Sequence, residues 1–585
     1  MTRIPRPTSK IILFVPALLA FLFAMPALWT GLFMDDLWHK ALFTGVEAAV
    51  PFSENRFSMF TFVNGDPERT ATLKNMGVFP WWALDNLRLK FWRPVTSITH
   101  WMDYALWPDS EWTMHLHSLV WYVLGVATVA WLFRRILGVG WIALIAAALY
   151  AVDDAHANPV GWLANRNSLI ALFFGVASIL AHMRWRETNR WPWLPAALLL
   201  FAIALLANEG AIASTAYFFS YAVFLDKGTW KSRILTLVPY FVLVLVWKAL
   251  YSMQGYGAWG SAAYIDPVAS PMDFLWSLTT RGPILLLAQI ALPTADLHTF
   301  VPDSVKFAWW VFAILALTAV GAILARVLRD DPRARFFAAG AVISIVPCCA
   351  TFAMDRLLLF TGIGAFGLLA VWLASLYGKP RAKLVSVAAA VALLIHGVVG
   401  PLLLPVRIVA WDLMGQMVNR TYDSVEFTEA DKDKTVVLVN APNIFIATYL
   451  PITKALQGAP IPKRVVGLAP ISGMPVPIVM RRTDANTIVY RPDASFQWIL
   501  FRNDAHPFRV GDVVRLDDRE VEILHVNEKG VPVEVAYRFD RPIDDPSMMW
   551  LRFEMPETLN GDPPRLVPYT PPAIGQTVTV ASGTK

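Results

Sequence analysis

The chain has 585 residues, of which 56% are hydrophobic and only 16% charged, with 25 Trp and 35 Phe. Soluble domains carry roughly 25% charged residues, so this composition excludes an ordinary soluble globule and points to a polytopic membrane protein. The formal charge of +6 does not call for nucleic acid, because Lys and Arg flanking the apolar runs account for much of it.

Residues 11–34 are almost uncharged and long enough to cross a bilayer as one helix. Arg3, Arg6 and Lys10 precede this run, and Ala24-Met25-Pro26-Ala27 imitates a signal-peptide cleavage site. Because the apolar run continues to Met34, it reads as an uncleaved anchor. At its far end stand Asp35 and Asp36, flanked by Met34 and Trp38. Carboxylates at the mouth of a membrane helix cost free energy to hold there, so they mark a site or simply end the span.

A long first loop follows, bounded at 34–112, dense in aromatic residues and without a clean span. Pro80-Trp81-Trp82-Ala83-Leu84 within it reads as an interfacial helix, since Trp prefers the membrane surface. Apolar runs then recur at about 116–133, 138–152, 168–183, 192–207, 210–225, 234–251, 307–325, 336–353, 357–377 and 384–405. With the first, that predicts about eleven transmembrane helices. Basic clusters (Arg134-Arg135, Arg184/Arg186/Arg190, Lys227/Lys231/Arg233, Arg326/Arg329/Arg333/Arg335, Lys379/Arg381/Lys383) all fall on the side of the N-terminus, which the positive-inside rule makes cytoplasmic. The opposite connections carry Asp153-Asp154, Glu209, Asp266 and Asp355. Residues 271–293 are apolar but interrupted by Arg281-Gly282-Pro283, and the alternation is kept if they form a re-entrant or interfacial element. The adjacent Cys348 and Cys349 lie inside an apolar run and read as small packing residues.

From about Val406 the character changes. Thr435-Val436-Val437-Leu438-Val439 is strand-like, and two alternating runs around Asn527-Glu528-Lys529-Gly530 read as a β-hairpin. The prediction is an α-helical polytopic membrane domain over 1–405, followed by a soluble, β-rich extracytoplasmic domain over 406–585.

The outer connections collect unusual polar residues. Asp154 and His156 could reach one divalent metal ion, or belong to a solvated turn that Pro159 ends. Arg166 opens a span on the side that disfavours cations, which suggests an anionic ligand. Asn208-Glu209-Gly210 joins two spans with almost no loop, so Glu209 is paired or functional. Met354-Asp355-Arg356 does the same, with Arg356 or Arg166 as a salt-bridge partner for Asp355. A guanidinium fork suits phosphate better than an ammonium does.

These motifs resemble the GT-C membrane glycosyltransferases, particularly the protein O-mannosyltransferase and tetratricopeptide-bearing transmembrane mannosyltransferase branch. Asp35-Asp36 resembles that family's acidic pair in the first outer loop, and Trp92-Arg93-Pro94-Val95-Thr96 its Tyr-Arg-Pro-Leu-Thr. Asp103-Tyr104-Ala105-Leu106-Trp107 and His115-Leu116 resemble the residues that follow. His156-Ala157-Asn158-Pro159-Val160-Gly161-Trp162 with Arg166, Asn208-Glu209, and Asp355-Arg356-Leu357-Leu358-Leu359 resemble later motifs in the same order. The resemblance covers roughly residues 11–400. It departs where Asp153-Asp154 stands for His-Pro, Asn158 for Glu and Asn208 for Lys, and no tetratricopeptide repeats follow.

The resemblance implies transfer of a sugar from a polyprenyl phosphate to an extracytoplasmic acceptor hydroxyl. It puts Asp35 or Asp36 as base and Arg93, Arg166 and Arg356 toward the donor phosphate. His115, Asp154, His156, Glu209 and Asp355 are further site candidates. A flippase of lipid-linked saccharides would instead put charges at mid-span and broken helices in paired positions; a non-catalytic scaffold is the third reading.

Overall fold

The computed structural model describes residues 7–46, 55–380, 382–470, 476–496, 500–556 and 562–580. Arg3, Arg6 and Arg381, which contribute to the charge bias, lie outside these residues. Two compact units emerge: residues 1–31, 92–254 and 266–412 form one, and residues 32–91, 255–265 and 413–585 the other.

The first unit is helical. Each of the eleven apolar runs becomes helical. Across the described residues seven helices are long and apolar enough to cross a bilayer: Ser9–Trp29, Glu111–Leu137, Leu163–Thr188, Trp230–Met253, Asp303–Asp330, Leu359–Leu376 and Lys383–Asp423. Trp141–Ala151 and Trp193–Ala207 are apolar but shorter, and Thr215–Phe224 and Pro332–Cys348 account for the other two runs. Helices pack closely where side chains are small, as expected without a hydrophobic drive between lipid-facing surfaces. At Gly364 a Cβ would collide with the carbonyl oxygen of Phe337 on the neighbouring helix.

Within residues 271–293, expected as a re-entrant or interfacial element, Pro271–Ile290 is one continuous helix with Pro283 inside it. Proline removes the hydrogen bond to the carbonyl four residues back, here that of Thr279. The Trp310 indole N–H supplies the missing donor to that carbonyl at 2.9 Å. Arg281 reaches the Cys349 carbonyl at 3.3 Å, so the polar interruption is satisfied without ending the helix.

The second unit is β-rich. A six-stranded antiparallel sheet runs Thr577–Val580, Ile478–Arg482, Thr487–Pro492, Pro532–Phe539, Arg519–Val526, Val513–Arg515. A four-stranded sheet runs Arg565–Pro568, Met548–Glu554, Thr435–Leu438, Arg464–Gly467. Its last two strands are parallel, and helix Ile444–Leu456 connects them. The expected hairpin is present as the pair Arg519–Val526 and Pro532–Phe539. Gly530 closes it at φ +71°, a left-handed conformation that only glycine adopts at little cost. The two sheets are joined through buried tyrosines: the Tyr490 hydroxyl donates to Val439 O and that of Tyr537 to Leu468 O, both at 2.8 Å.

Part of the first loop belongs to this unit. Trp81 and Trp82 are buried, not interfacial. The Trp81 indole N–H donates to the Tyr537 hydroxyl at 2.9 Å, and its ring packs edge-on against Phe496. Interfacial aromatics and core aromatics share one composition; a hydrogen-bond partner inside the β-rich unit decided between them.

Candidate active site

The acid pair opens helix Asp35–Thr44, directly after Met34, which sits at φ 47° and ψ −114°. A non-glycine residue there is strained, and such strain persists only where surrounding structure imposes it. The two acids differ. Asp36 is buried, and its Oδ2 accepts the Phe33 N–H at 3.2 Å. Asp35 is partly exposed, and its Oδ1 accepts the Tyr449 hydroxyl at 2.9 Å. Both carboxylates lie in the first helical turn, where the helix dipole favours negative charge.

In the helical unit, Arg93 and Glu209 form a forked pair: Nε to Oε2 at 2.9 Å and Nη2 to Oε1 at 2.5 Å. Burial alone would raise the Glu209 carboxyl, but the Arg93 charge outweighs it and holds Glu209 below the usual range. Arg166 is fully buried and paired with the equally buried Asp103. Its Nε donates to Ser118 Oγ at 2.8 Å and its Nη2 to Met114 O at 2.7 Å. Arg166, expected toward the donor phosphate, thus makes its hydrogen bonds and its ion pair inside the protein. Asp103, not Asp355, is its carboxylate partner, and His117 Nδ1 meets the same Asp103 at 2.7 Å. His115 is also buried, 3.2 Å from the Thr30 hydroxyl, and packs rather than lining an open surface.

A second cluster centres on a residue that the sequence reading passed over. Arg407 contacts Asp154 at 2.5 Å, Asp296 at 2.5 Å and Asp355 at 2.8 Å. Three separate connections thus converge on one guanidinium. Asp355 is paired here, and not with Arg356. Asp154 and Asp355 of this cluster line a narrow cleft together with Asp153 and Gln289. Burial and the neighbouring Asp154 push the Asp153 carboxyl up, and burial pushes Asp355 up against the pull of Arg407. The Asp154–His156 metal pair does not assemble: Asp154 engages Arg407, while His156 Nδ1 meets the Tyr122 hydroxyl at 3.0 Å. Burial pushes His156 down to about 3, so it stays neutral. Among the described residues no group of three or more His, Cys, Asp or Glu could hold a metal ion.

Arg356 is different. Its guanidinium lies over the Trp162 ring at 5.7 Å and the Phe352 ring at 5.6 Å. Among the described residues no carboxylate pairs with it. Aromatic faces orient a guanidinium without neutralising it, leaving its charge available to an anion.

Residues 94–251, which contain Asp103, Arg166 and Glu209, match the dolichyl-phosphate-mannose-protein mannosyltransferase family. Over these residues the chain is similar to a family of membrane mannosyltransferases, in line with the GT-C resemblance of its motifs. Protein O-mannosyl-transferase Tmtc2 of Drosophila melanogaster is 32% identical over 130 residues, 21% of this chain and 14% of that protein. Protein O-mannosyl-transferase TMTC2 of Homo sapiens is 22% identical over 247 residues, 40% of this chain and 29% of that protein. The chain thus spans less than a third of the curated relatives it matches. The Archaeoglobus fulgidus oligosaccharyltransferase tethered to an acceptor peptide aligns with a TM-score of 0.39 at 13% identity, over 78% of this chain and 63% of that one.

Proposed function

We propose that the chain transfers a sugar from a polyprenyl-phosphate donor to an acceptor hydroxyl on the extracytoplasmic side. The observation that carries the donor half is Arg356: a guanidinium cradled by two aromatic rings, with no carboxylate partner among the described residues. Arg93 and Arg166, the other two arginines of the family-like motifs, are already paired. Arg356 then stabilises the charge that develops on the phosphate leaving group. Asp35 supplies the base. The sugar C1–O bond to phosphate breaks with its electrons going to phosphate, the acceptor oxygen bonds C1, and the acceptor proton passes to Asp35. The name of the matching family supports a mannosyl phospholipid as donor.

Purified protein incubated with a panel of polyprenyl-phosphate sugars, dolichyl phosphate mannose among them, and extracted cell-surface material tests the activity. No transfer from any of them would end this reading. Arg356→Ala is expected to weaken donor binding by about ten- to a hundredfold, the worth of charge-assisted hydrogen bonds. Arg356→Lys should retain part of the affinity, since an ammonium keeps the charge but loses the fork. Donor titration by quenching of intrinsic Trp fluorescence reads both; an Ala variant binding like wild type removes Arg356 from the role.

The charge bias of the connections supports an inside N-terminus and an outside C-terminus. Val510 is exposed and both native cysteines are buried, so Val510→Cys can report topology. We expect an impermeant maleimide to label it from outside intact cells; labelling only after lysis would reverse the orientation.

A further inference from the structure

The C-terminal segment lies beyond the matched residues 94–251, yet one of its side chains touches the acid pair. We infer that Tyr449, on helix Ile444–Leu456, is a positioning residue that holds the Asp35 carboxylate for its work as base. This rests on the reading of Asp35 proposed above.

The contact is specific and its frame is rigid. The Tyr449 hydroxyl donates to Asp35 Oδ1 at 2.9 Å, and the tyrosine is 4% exposed. Its helix is fixed at several points. The Asn443 side chain caps the start, accepting from Ile446 N at 3.3 Å. Thr448 Oγ1 donates to Val78 O at 2.8 Å. The Tyr422 hydroxyl donates to Phe445 O at 3.4 Å. The Phe445 ring lies nearly parallel to that of Tyr449, 6.2 Å between centroids. On the other side of the bond, Asp35 follows the strained Met34 and begins a helix. A donor built into a packed helix therefore meets a carboxylate built onto a strained turn.

The chemistry gives the bond a use. A general base works only if its carboxylate is ionised and aimed at the proton it accepts. A hydroxyl donating to one oxygen restricts rotation of the group and favours the ionised form. Burial and the charge of Asp35 keep the Tyr449 phenol well above its ordinary value, so it remains a donor over the working pH range. Helix Ile444–Leu456 thereby takes part in catalysis through Asp35.

Tyr449→Phe deletes the hydroxyl and keeps the ring against Phe445, and it should fold. With dolichyl phosphate mannose as donor and water as acceptor, kcat is expected to fall about tenfold, the value of one hydrogen bond to a charged group. Donor KM should not change, and the acid limb of the pH–rate profile should move to higher pH. Carbodiimide labelling of Asp35, followed by peptide mass spectrometry across pH, reads the same shift with no substrate present. In an Asp35→Asn background Tyr449→Phe should cause no further loss, because both changes act through one group. An unchanged labelling profile, or an equal loss in the Asp35→Asn background, overturns the inference and leaves the base reading standing. Wild-type turnover of Asp35→Asn overturns the base reading, and this inference falls with it.

Discussion

Asp35→Asn is expected to lower turnover by about 10²–10⁴-fold, the usual cost of losing a general base, with donor affinity unchanged. The amide keeps an oxygen that can still accept from Tyr449, so the turn and helix around it should survive. What is lost is the ability to take a proton. The acid limb of the pH–rate profile should vanish with it, because no group at this position titrates any longer. Asp36→Asn should behave differently. Asp36 caps Phe33 N–H from within the protein, and an amide oxygen can make the same bond. Its effect should be a loss of at most about 1 kcal/mol in stability, the scale of a weakened cap, and a small loss in rate. Steady-state turnover of both variants in detergent, with donor binding measured separately, distinguishes the two. If both kept wild-type turnover, neither acid would be the base.

That the two acids are unequal follows from their surroundings, and only part of this is legible in the chain order. Adjacent helical residues point in different directions, so a difference between Asp35 and Asp36 is expected from sequence. Tyr449, which makes the difference concrete, lies 414 residues away, and no local pattern reports such a pairing. The hairpin around Asn527–Gly530 is legible because turn chemistry and alternation both act locally. The apolar runs are legible for the same reason: even the run 210–225 is helical, a 3-10 turn Glu209–Ser214 leading into helix Thr215–Phe224.

Charged residues inside apolar surroundings give a partial signal. Arg166 breaks the charge rule, which suggests an anionic ligand, but the anion found beside it belongs to the protein. The anion is Asp103, on helix Pro94–Leu106, in a stretch that reads as surface loop. Arg407 follows the apolar run 384–405 by two residues and looks like an ordinary flanking cation. Its partners Asp154, Asp296 and Asp355 stand on three connections, the farthest 253 residues away in sequence. Tertiary convergence of this kind leaves the single chain with acids and a base but no pairing. Trp81 and Trp82 show the complementary failure, where one composition serves two environments.

Arg166→Ala is expected to destabilise the protein by about 3–5 kcal/mol, the cost of leaving one member of a buried ion pair alone. Both side chains are fully buried, so water cannot take over the solvation of Asp103. His117, which touches the same carboxylate, would be its remaining side-chain partner. Asp103→Asn should cost a comparable amount, now with an unneutralised guanidinium. Removing both charges together, as in Arg166→Met with Asp103→Leu, should recover most of the loss, since apolar residues of similar volume need no pairing. Thermal unfolding in detergent, followed by the fraction that remains monodisperse, reads these differences. Donor binding of whatever folds should stay at the wild-type value, in contrast to Arg356→Ala. An Arg166→Ala protein that melts like wild type but fails to bind dolichyl phosphate mannose would reverse the assignment, making the guanidinium a ligand group and Asp103 only its counterion.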